Sequence, residues 1–198
     1  MVFFSYGASD VLRPLPPPLA AYLATASPKQ TAQRHAALSL LCTLAEQAAI
    51  PLDYPIALTK EGKPFFDSAS APHFSLSHSG GSVACAIGHS PVGIDLQEEL
   101  PSLETTKLAT RFFGEKECAL AANSPRETFF EIWTKKEALG KCLGTGLPPL
   151  LGQETDTLAQ KNGLVFTTVR VCLADRFYTL TLCASEQAKL LFPQISPV

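Results

Sequence analysis

S-P-R-E-T-F-F-E-I-W-T-K-K-E-A-L-G-K-C-L-G-T-G, residues 124–146, carries the strongest helix signals in the chain. Ser124 can cap an N-terminus, Pro125 suits the first helical position, and Glu127 stands where its side chain can close a capping box. Gly144 supplies the stop, because a helix commonly ends on a left-handed residue that glycine adopts without a Cβ clash. At about 100° per residue, Phe129, Ile132, Trp133, Leu139, Gly140 and Leu143 share one side, with Phe130, Glu137 and Lys141 along its edge. Glu137 and Lys141 are one turn apart, and taken alone they read as a surface pair worth a few tenths of a kcal/mol, roughly. Lys136 falls near the middle of the apolar side. A charge there is unfavourable unless its stem snorkels out or an anion meets it.

Upstream of this helix, residues 92–97 (V-G-I-D-L-Q) alternate with period two, which puts Gly93, Asp95 and Gln97 on one face of a strand. Two shorter strands are expected at 73–77 and 83–87, joined through His78-Ser79-Gly80-Gly81. That loop either cradles a phosphate or is an ordinary Gly-Gly hairpin turn. Ser27-Pro28 opens a second long helix, whose stripe of Ala36, Leu40, Leu41, Leu44 and Ala48 ends before Pro51. Residues 1–26 read as a strand followed by a proline-rich surface arm, and 51–72 as loop with a turn at Glu61-Gly62-Lys63-Pro64. Two short helices are expected at 104–111 and 114–122, their charges forming a solvated face. A loop over 148–160 and a hairpin of strands at 164–173 and 177–183 follow, with a short helical turn after Ser185.

Helix and sheet thus recur in each half, which predicts an α+β fold. The expected arrangement is two similar lobes, residues 1–90 and 91–198, related by a pseudo-twofold in one compact unit. Each lobe has a small antiparallel sheet with a packed long helix, and a ligand cleft lies between them. No sequence repeat marks the halves.

Composition agrees with a globular chain: 198 residues, 46% hydrophobic and 17% charged. Sixteen Lys and Arg against eighteen Asp and Glu give a formal charge of -2, so no global basic field points to nucleic acid. The six cysteines form no C-x-x-C pair and lie in apolar segments, which suggests reduced core residues of a cytoplasmic protein. No stretch approaches a membrane span, and the N-terminus lacks the pattern of a signal peptide.

Four blocks stand in order: Phe74-Ser75-Leu76-Ser77-His78-Ser79-Gly80, Val92-Gly93-Ile94-Asp95-Leu96, Arg111-Phe112-Phe113, and Trp133-Thr134-Lys135-Lys136-Glu137-Ala138-x-x-Lys141. With Gly62-Lys63-Pro64 they resemble, over residues 60–150, the Sfp-type 4′-phosphopantetheinyl transferases. The resemblance implies transfer of the phosphopantetheine arm of coenzyme A to a serine of an acyl, peptidyl or aryl carrier protein, with Mg²⁺ and release of adenosine 3′,5′-bisphosphate. It implies that Asp95 and Glu137 hold the metal, with Gln97 as a neutral third ligand, and that Glu137 or water beside it is the base. Lys141 would offset phosphate charge. Lys29, Arg34, Lys63, Ser77, His78 and Lys136, with Asp95 and Lys141, are the expected coenzyme A residues. Many relatives carry an acid where this chain has Gln97, which predicts weaker metal binding with activity retained. The region around Arg111-Phe112-Phe113 and Lys116 is the expected carrier contact, and the chain is expected to act as a monomer. The competing reading is a non-catalytic module that binds coenzyme A or a carrier protein.

Overall fold

The computed structural model describes residues 1–10, 12–124, 126–185 and 188–190, the last three by backbone alone. In chain order the elements are β1 (Val2–Ala8), α1 (Pro17–Ala24), α2 (Pro28–Gln47), β2 (Ile56–Leu58), β3 (Pro64–Phe66), β4 (His73–Ser79), β5 (Ser82–Gly88) and β6 (Val92–Glu98). Then come α3 (Thr105–Phe112), α4 (Glu115–Ala122), α5 (Glu127–Leu143), a 3₁₀ turn (Pro148–Leu150), α6 (Thr155–Lys161), β7 (Val165–Leu173), β8 (Arg176–Ala184) and β9 (Ala188–Leu190). One sheet has the order β4-β5-β1-β9 and another β6-β8-β7, with β2 and β3 forming a separate hairpin. Only the β1–β9 pairing is parallel among the described strands. The expected α+β class is what the chain adopts, with small and mainly antiparallel sheets.

Each long helix covers one sheet. Leu38, Leu41 and Leu44 of α2 pack on Phe74, Cys85 and Ile87 of the first sheet, and each such buried leucine contributes about 1.5–3 kcal/mol. On the second sheet, Ala138, Leu139 and Cys142 of α5 pack against Cys183. The opposite faces meet in one shared core: Val2, Phe4, Ala84 and Ala86 from the first sheet, Ile94, Leu96, Leu180 and Leu182 from the second. The alternation along β6 explains the division, since Val92, Ile94 and Leu96 point into that core while Gly93 and Asp95 face α5.

Between the sheets, serine hydroxyls replace a backbone ladder. Ser75, Ser77 and Ser79 of β4 accept the N–H groups of Ile94, Leu96 and Glu98 at 3.1, 3.1 and 2.9 Å. These N–H groups lie on the side of β6 away from β8, where an unpaired buried donor would be unfavourable by about 1–3 kcal/mol. The i, i+2 spacing of the serines matches the strand period, so each hydroxyl reaches the next N–H in turn.

Several expectations need correction. The arm contains a helix, α1, because Pro17 and Pro18 occupy its first positions, where a missing N–H removes no bond. Residues 51–72 include the β2–β3 hairpin, and 148–160 include the 3₁₀ turn and most of α6. Backbone at 188–190 runs as strand beside β1 rather than as a helical turn, and residues 191–198 lie outside the described set. The organising helix starts at Glu127 with Arg126 at its N-cap and no side chain closing the cap, so the Ser124 capping box does not form; Pro125 lies outside the described residues. Its C-terminus is as expected, with Gly144 at φ +72°. Cys42, Cys85, Cys142 and Cys183 are buried, but Cys172 is exposed on β7. Among the described residues no helix is long and apolar enough to cross a membrane.

Candidate active site

The site forms where β4, β6 and α5 come together. α5 lies directly on β6 because Gly93 has no side chain: a Cβ there would fall 2.5 Å from the Cys142 nitrogen and closer still to the Ala138 carbonyl oxygen. That contact brings the turn from Glu137 to Lys141 beside Asp95, two residues along the strand.

Asp95 is 6% exposed, and its Oδ1 accepts from the Ser77 hydroxyl at 2.8 Å and the Lys141 ammonium at 2.7 Å. Lys141 Nζ also donates to the Ile94 carbonyl at 2.9 Å and to Ser77 Oγ at 3.1 Å. Ser77 is thus a junction: it accepts from Leu96 and Lys141 while its one proton goes to Asp95. Burial raises the pKa of Glu137, and the Asp95 charge raises it further, with Lys141 opposing. Asp95 and Lys141 thus act on Glu137 in opposite directions, with burial the larger cause.

His78 projects from the next position of β4 and is exposed. Partial desolvation and the Lys141 charge lower its pKa, Asp95 opposes, and Arg34 adds to the lowering. Arg34 of α2 lies over the Tyr22 ring at 4.7 Å and donates to Thr25 Oγ1, and Lys29 is exposed in the first turn of that helix. The Gly80-Gly81 segment is a two-residue hairpin turn with Gly80 at φ +55°. A Cβ on Gly80 would run into the Glu98 carboxylate.

Lys63 reaches the site from the β2–β3 hairpin. Its ammonium donates to the carbonyls of Val92 at 3.0 Å and Lys141 at 2.6 Å, joining the start of β6 to the last turn of α5. Burial lowers its pKa to about 8. A depression of about 240 Å³ opens beside it, lined in part by Ser75, Gly140 and Lys141. Three roomier depressions, of about 620, 760 and 480 Å³, lie elsewhere, at the α1 arm, at the β7–β8 hairpin and between the arm and α2, and touch neither Asp95 nor Glu137.

Lys136 has a different place from the one expected. It is 0% exposed, and its ammonium meets Glu117 Oε2 at 3.0 Å and the carbonyls of Leu150 and Gln153 at 3.2 and 2.7 Å. The anion that answers this buried lysine is a protein carboxylate, so its assignment to coenzyme A is corrected. Glu117 had been counted with a solvated face, yet it is buried, accepting the N–H groups of Gly114 at 3.1 Å and Thr155 at 2.6 Å. Burial alone would push its pKa up, but hydrogen bonds from Thr155 and Gly114 and the Lys136 charge hold it below the usual range. Glu117 at the third position of α4 has a local partner in the Gly114 N–H, but its pairing with Lys136, 19 residues downstream on α5, leaves no local sequence signal.

Gln97 is half-buried and turns its amide nitrogen to the Glu98 carbonyl at 3.2 Å, which leaves its oxygen to accept. Glu98 pairs with Arg176, and Glu99 with Arg170 and Thr179, so neither stands in for an acid at position 97. Phe112 and Phe113 pack against Trp133 and Phe129 at centroid distances of 5.8 and 5.2 Å, so of Arg111-Phe112-Phe113 the arginine is exposed, Phe112 half-buried and Phe113 buried.

Among the described residues no three His, Cys, Asp or Glu side chains gather as a metal site. Asp95 of β6 and Glu137 of α5, the helix that packs on that strand at Gly93, are two carboxylates from adjoining elements. That donor set suits a hard cation that keeps most of its water and takes one or two carboxylates, such as Mg²⁺.

The family model described as the 4′-phosphopantetheinyl transferase superfamily matches residues 91–189, half of the chain, including Asp95, Glu137 and Lys141. The 4′-phosphopantetheinyl transferase gsp of Aneurinibacillus migulanus is 43% identical over 90 residues, covering 43% of this chain and 36% of that protein. A 4′-phosphopantetheinyl transferase of Bacillus subtilis is 29% identical over 148 residues, covering 69% and 65%. The psf-1 transferase of Bacillus pumilus is 36% identical over 120 residues, covering 58% and 51%. The chain spans between about a third and two thirds of the length of these curated relatives. By the extent of that family match, this chain belongs to the 4′-phosphopantetheinyl transferase superfamily.

Proposed function

We propose that the chain transfers the 4′-phosphopantetheine arm of coenzyme A to a serine hydroxyl of an acyl, peptidyl or aryl carrier protein, releasing adenosine 3′,5′-bisphosphate. The observation that carries this is the contact of Lys141 from α5 with Asp95 from β6 at 2.7 Å, on the helix turn that also carries Glu137. Names of the relatives support the same reaction. In this reading residues 1–90 and 91–198 are two similar lobes related by a pseudo-twofold, with the substrate in a cleft between them. The protein acts as a cytoplasmic monomer.

The reaction forms a bond from the carrier serine oxygen to the β-phosphorus and breaks that phosphorus's bond to the bridging oxygen, which leaves as part of adenosine 3′,5′-bisphosphate. Asp95 and Glu137 would hold Mg²⁺, with Gln97 as a neutral third ligand directly or through water. When bound there the ion supplies positive charge against the pyrophosphate oxygens. Glu137, or water beside it, takes the serine proton, a role that its raised proton affinity suits. Lys141 offsets charge on the phosphates. His78, Arg34 and Lys29 line the approach from β4 and α2, where a polyanion would be met, and Ser77 and Lys63 hold the floor.

The test is to incubate the protein with coenzyme A, Mg²⁺ and several apo carrier proteins and to weigh the intact carriers. Carrier gaining the phosphopantetheine mass is expected, and Asp95→Ala or Glu137→Ala should lower the rate by at least about a hundredfold while the fold persists. Robust transfer by either variant would overturn the assignment of the acids. The second reading, a non-catalytic binder, draws on Gln97 as a missing charge; it predicts coenzyme A binding with no carrier class modified.

A further inference from the structure

Of the three lysines expected at the site, only Lys141 rests on one of its acids, and its side chain is partly exposed. Lys63 donates to backbone carbonyls, and Lys136 is sealed with Glu117. Lys141 sits on Asp95 with its side chain 25% exposed. Its ammonium has three protons and three acceptors: Asp95 Oδ1 at 2.7 Å, the Ile94 carbonyl at 2.9 Å and Ser77 Oγ at 3.1 Å. So engaged, it has no proton left for a phosphate, and it lies on the carboxylate that a divalent cation would use.

We propose that Lys141 is a displaceable counter-ion of Asp95, competing with the divalent cation for that carboxylate until the coenzyme A pyrophosphate draws it away. The idea rests on the function proposed above and adds a coupling to it. Lys141 and Ser77 hold the Asp95 carboxylate in place, so the acid needs no rearrangement when the cation arrives. An ammonium and a dication on one carboxylate repel strongly at such range, so each weakens the other. A pyrophosphate beside the site offers the ammonium new acceptors, and its departure frees Asp95. Binding of coenzyme A and of the cation then reinforce each other through Lys141, and by reciprocity each raises the affinity for the other by the same factor. The partial exposure of the lysine is what permits the exchange; a fully buried lysine such as Lys136 has no path to it.

The experiment measures binding rather than turnover. Mn²⁺ is titrated into the protein and followed by electron paramagnetic resonance, with and without coenzyme A, for the wild type, Lys141→Met and Lys141→Gln. Both variants should bind Mn²⁺ alone more tightly, on the order of tenfold, and coenzyme A should improve their Mn²⁺ affinity by a smaller factor than it does in the wild type. Unchanged or weaker Mn²⁺ affinity in folded variants overturns the counter-ion role and leaves the transferase reading intact. If one variant fails to fold the other decides. Should both fail, an equal Mn²⁺ affinity of wild type with and without coenzyme A overturns the proposal. Wild type that binds neither Mn²⁺ nor coenzyme A sinks the site assignment itself.

Discussion

Two lysine–carboxylate pairs sit on α5 little more than one turn apart, and they differ in everything but their chemistry. Lys136 and Glu117 are 3.0 Å apart with side chains 0% and 10% exposed; Lys141 and Asp95 are 2.7 Å apart at 25% and 9%. The inner pair is closed: two backbone N–H groups complete the carboxylate and two carbonyls complete the ammonium. One charge meets one charge, and the pair clamps α4 and the 148–154 segment to α5. The outer pair is open: its lysine is partly exposed, and a second acid, Glu137, stands one turn before it on α5. A balanced pair can only hold structure, whereas an unbalanced one has affinity left for a cation.

The largest effect should come from breaking the closed pair. Lys136→Ala leaves Glu117 buried without its counter-charge, and the loss in stability should be about 3–5 kcal/mol, read by urea unfolding. Replacing both members, with Lys136→Met and Glu117→Leu, should recover much of it, since apolar side chains of similar volume can fill such a site. Asp95→Ala should lower stability far less, because the freed Lys141 can turn to water. Equal losses from Lys136→Ala and Asp95→Ala would erase the distinction between the pairs.

Changing the charge of the open site gives a smaller effect. Gln97→Glu adds a third acid on the face of β6 that carries Asp95, and half-saturation by Mg²⁺ in the transfer assay should fall about fivefold to tenfold if surplus negative charge sets metal affinity. An unchanged half-saturation would mean that position 97 does not sense the ion, and would narrow the open site to Asp95 and Glu137 alone.

What could be read in advance was local. Gly144 as the stop of α5, the alternation that sets Asp95 opposite Ile94, and the β7–β8 hairpin all depend on neighbours within a few residues. The hairpin turn, Ala174-Asp175, has both residues at positive φ, which suits a two-residue connection. What stayed hidden depends on partners far along the chain. The proline run conceals α1 because prolines at the first helical positions look the same as prolines in an arm. Lys136 was recognisable as an anomaly from the periodicity of α5, but its partner on α4 was not, so it was given to the wrong anion. The serine ladder of β4 has no sign in the strand alone, since its acceptors matter only once β6 lies alongside. The helix acid and the strand acid were legible through the family blocks, while the Lys141 contact with Asp95 needed the fold.

The smallest effect carries the sharpest sign. Burial first, and the Asp95 charge second, make folded Glu137 hold its proton more tightly than the unfolded chain does. Between the ordinary glutamate value of about 4.3 and the raised one, the folded state binds more protons, so stability falls as pH rises through that window. Above the window the whole penalty is present, and below about pH 4 it is gone. Glu137→Gln removes it, so the variant should be slightly more stable than wild type at pH 7, with the gain vanishing at pH 4 in paired urea titrations. Glu117 runs the other way: its lowered pKa contributes stability at neutral pH that is lost as pH falls through the folded value. Glu117→Gln should therefore be destabilising at pH 7 and less so in acid. Opposite pH slopes for two glutamates that both contact the same stretch of α5 would separate a carboxylate held by its surroundings from one still waiting for a cation. Parallel slopes would mean the two environments are alike and that the open site holds no surplus charge.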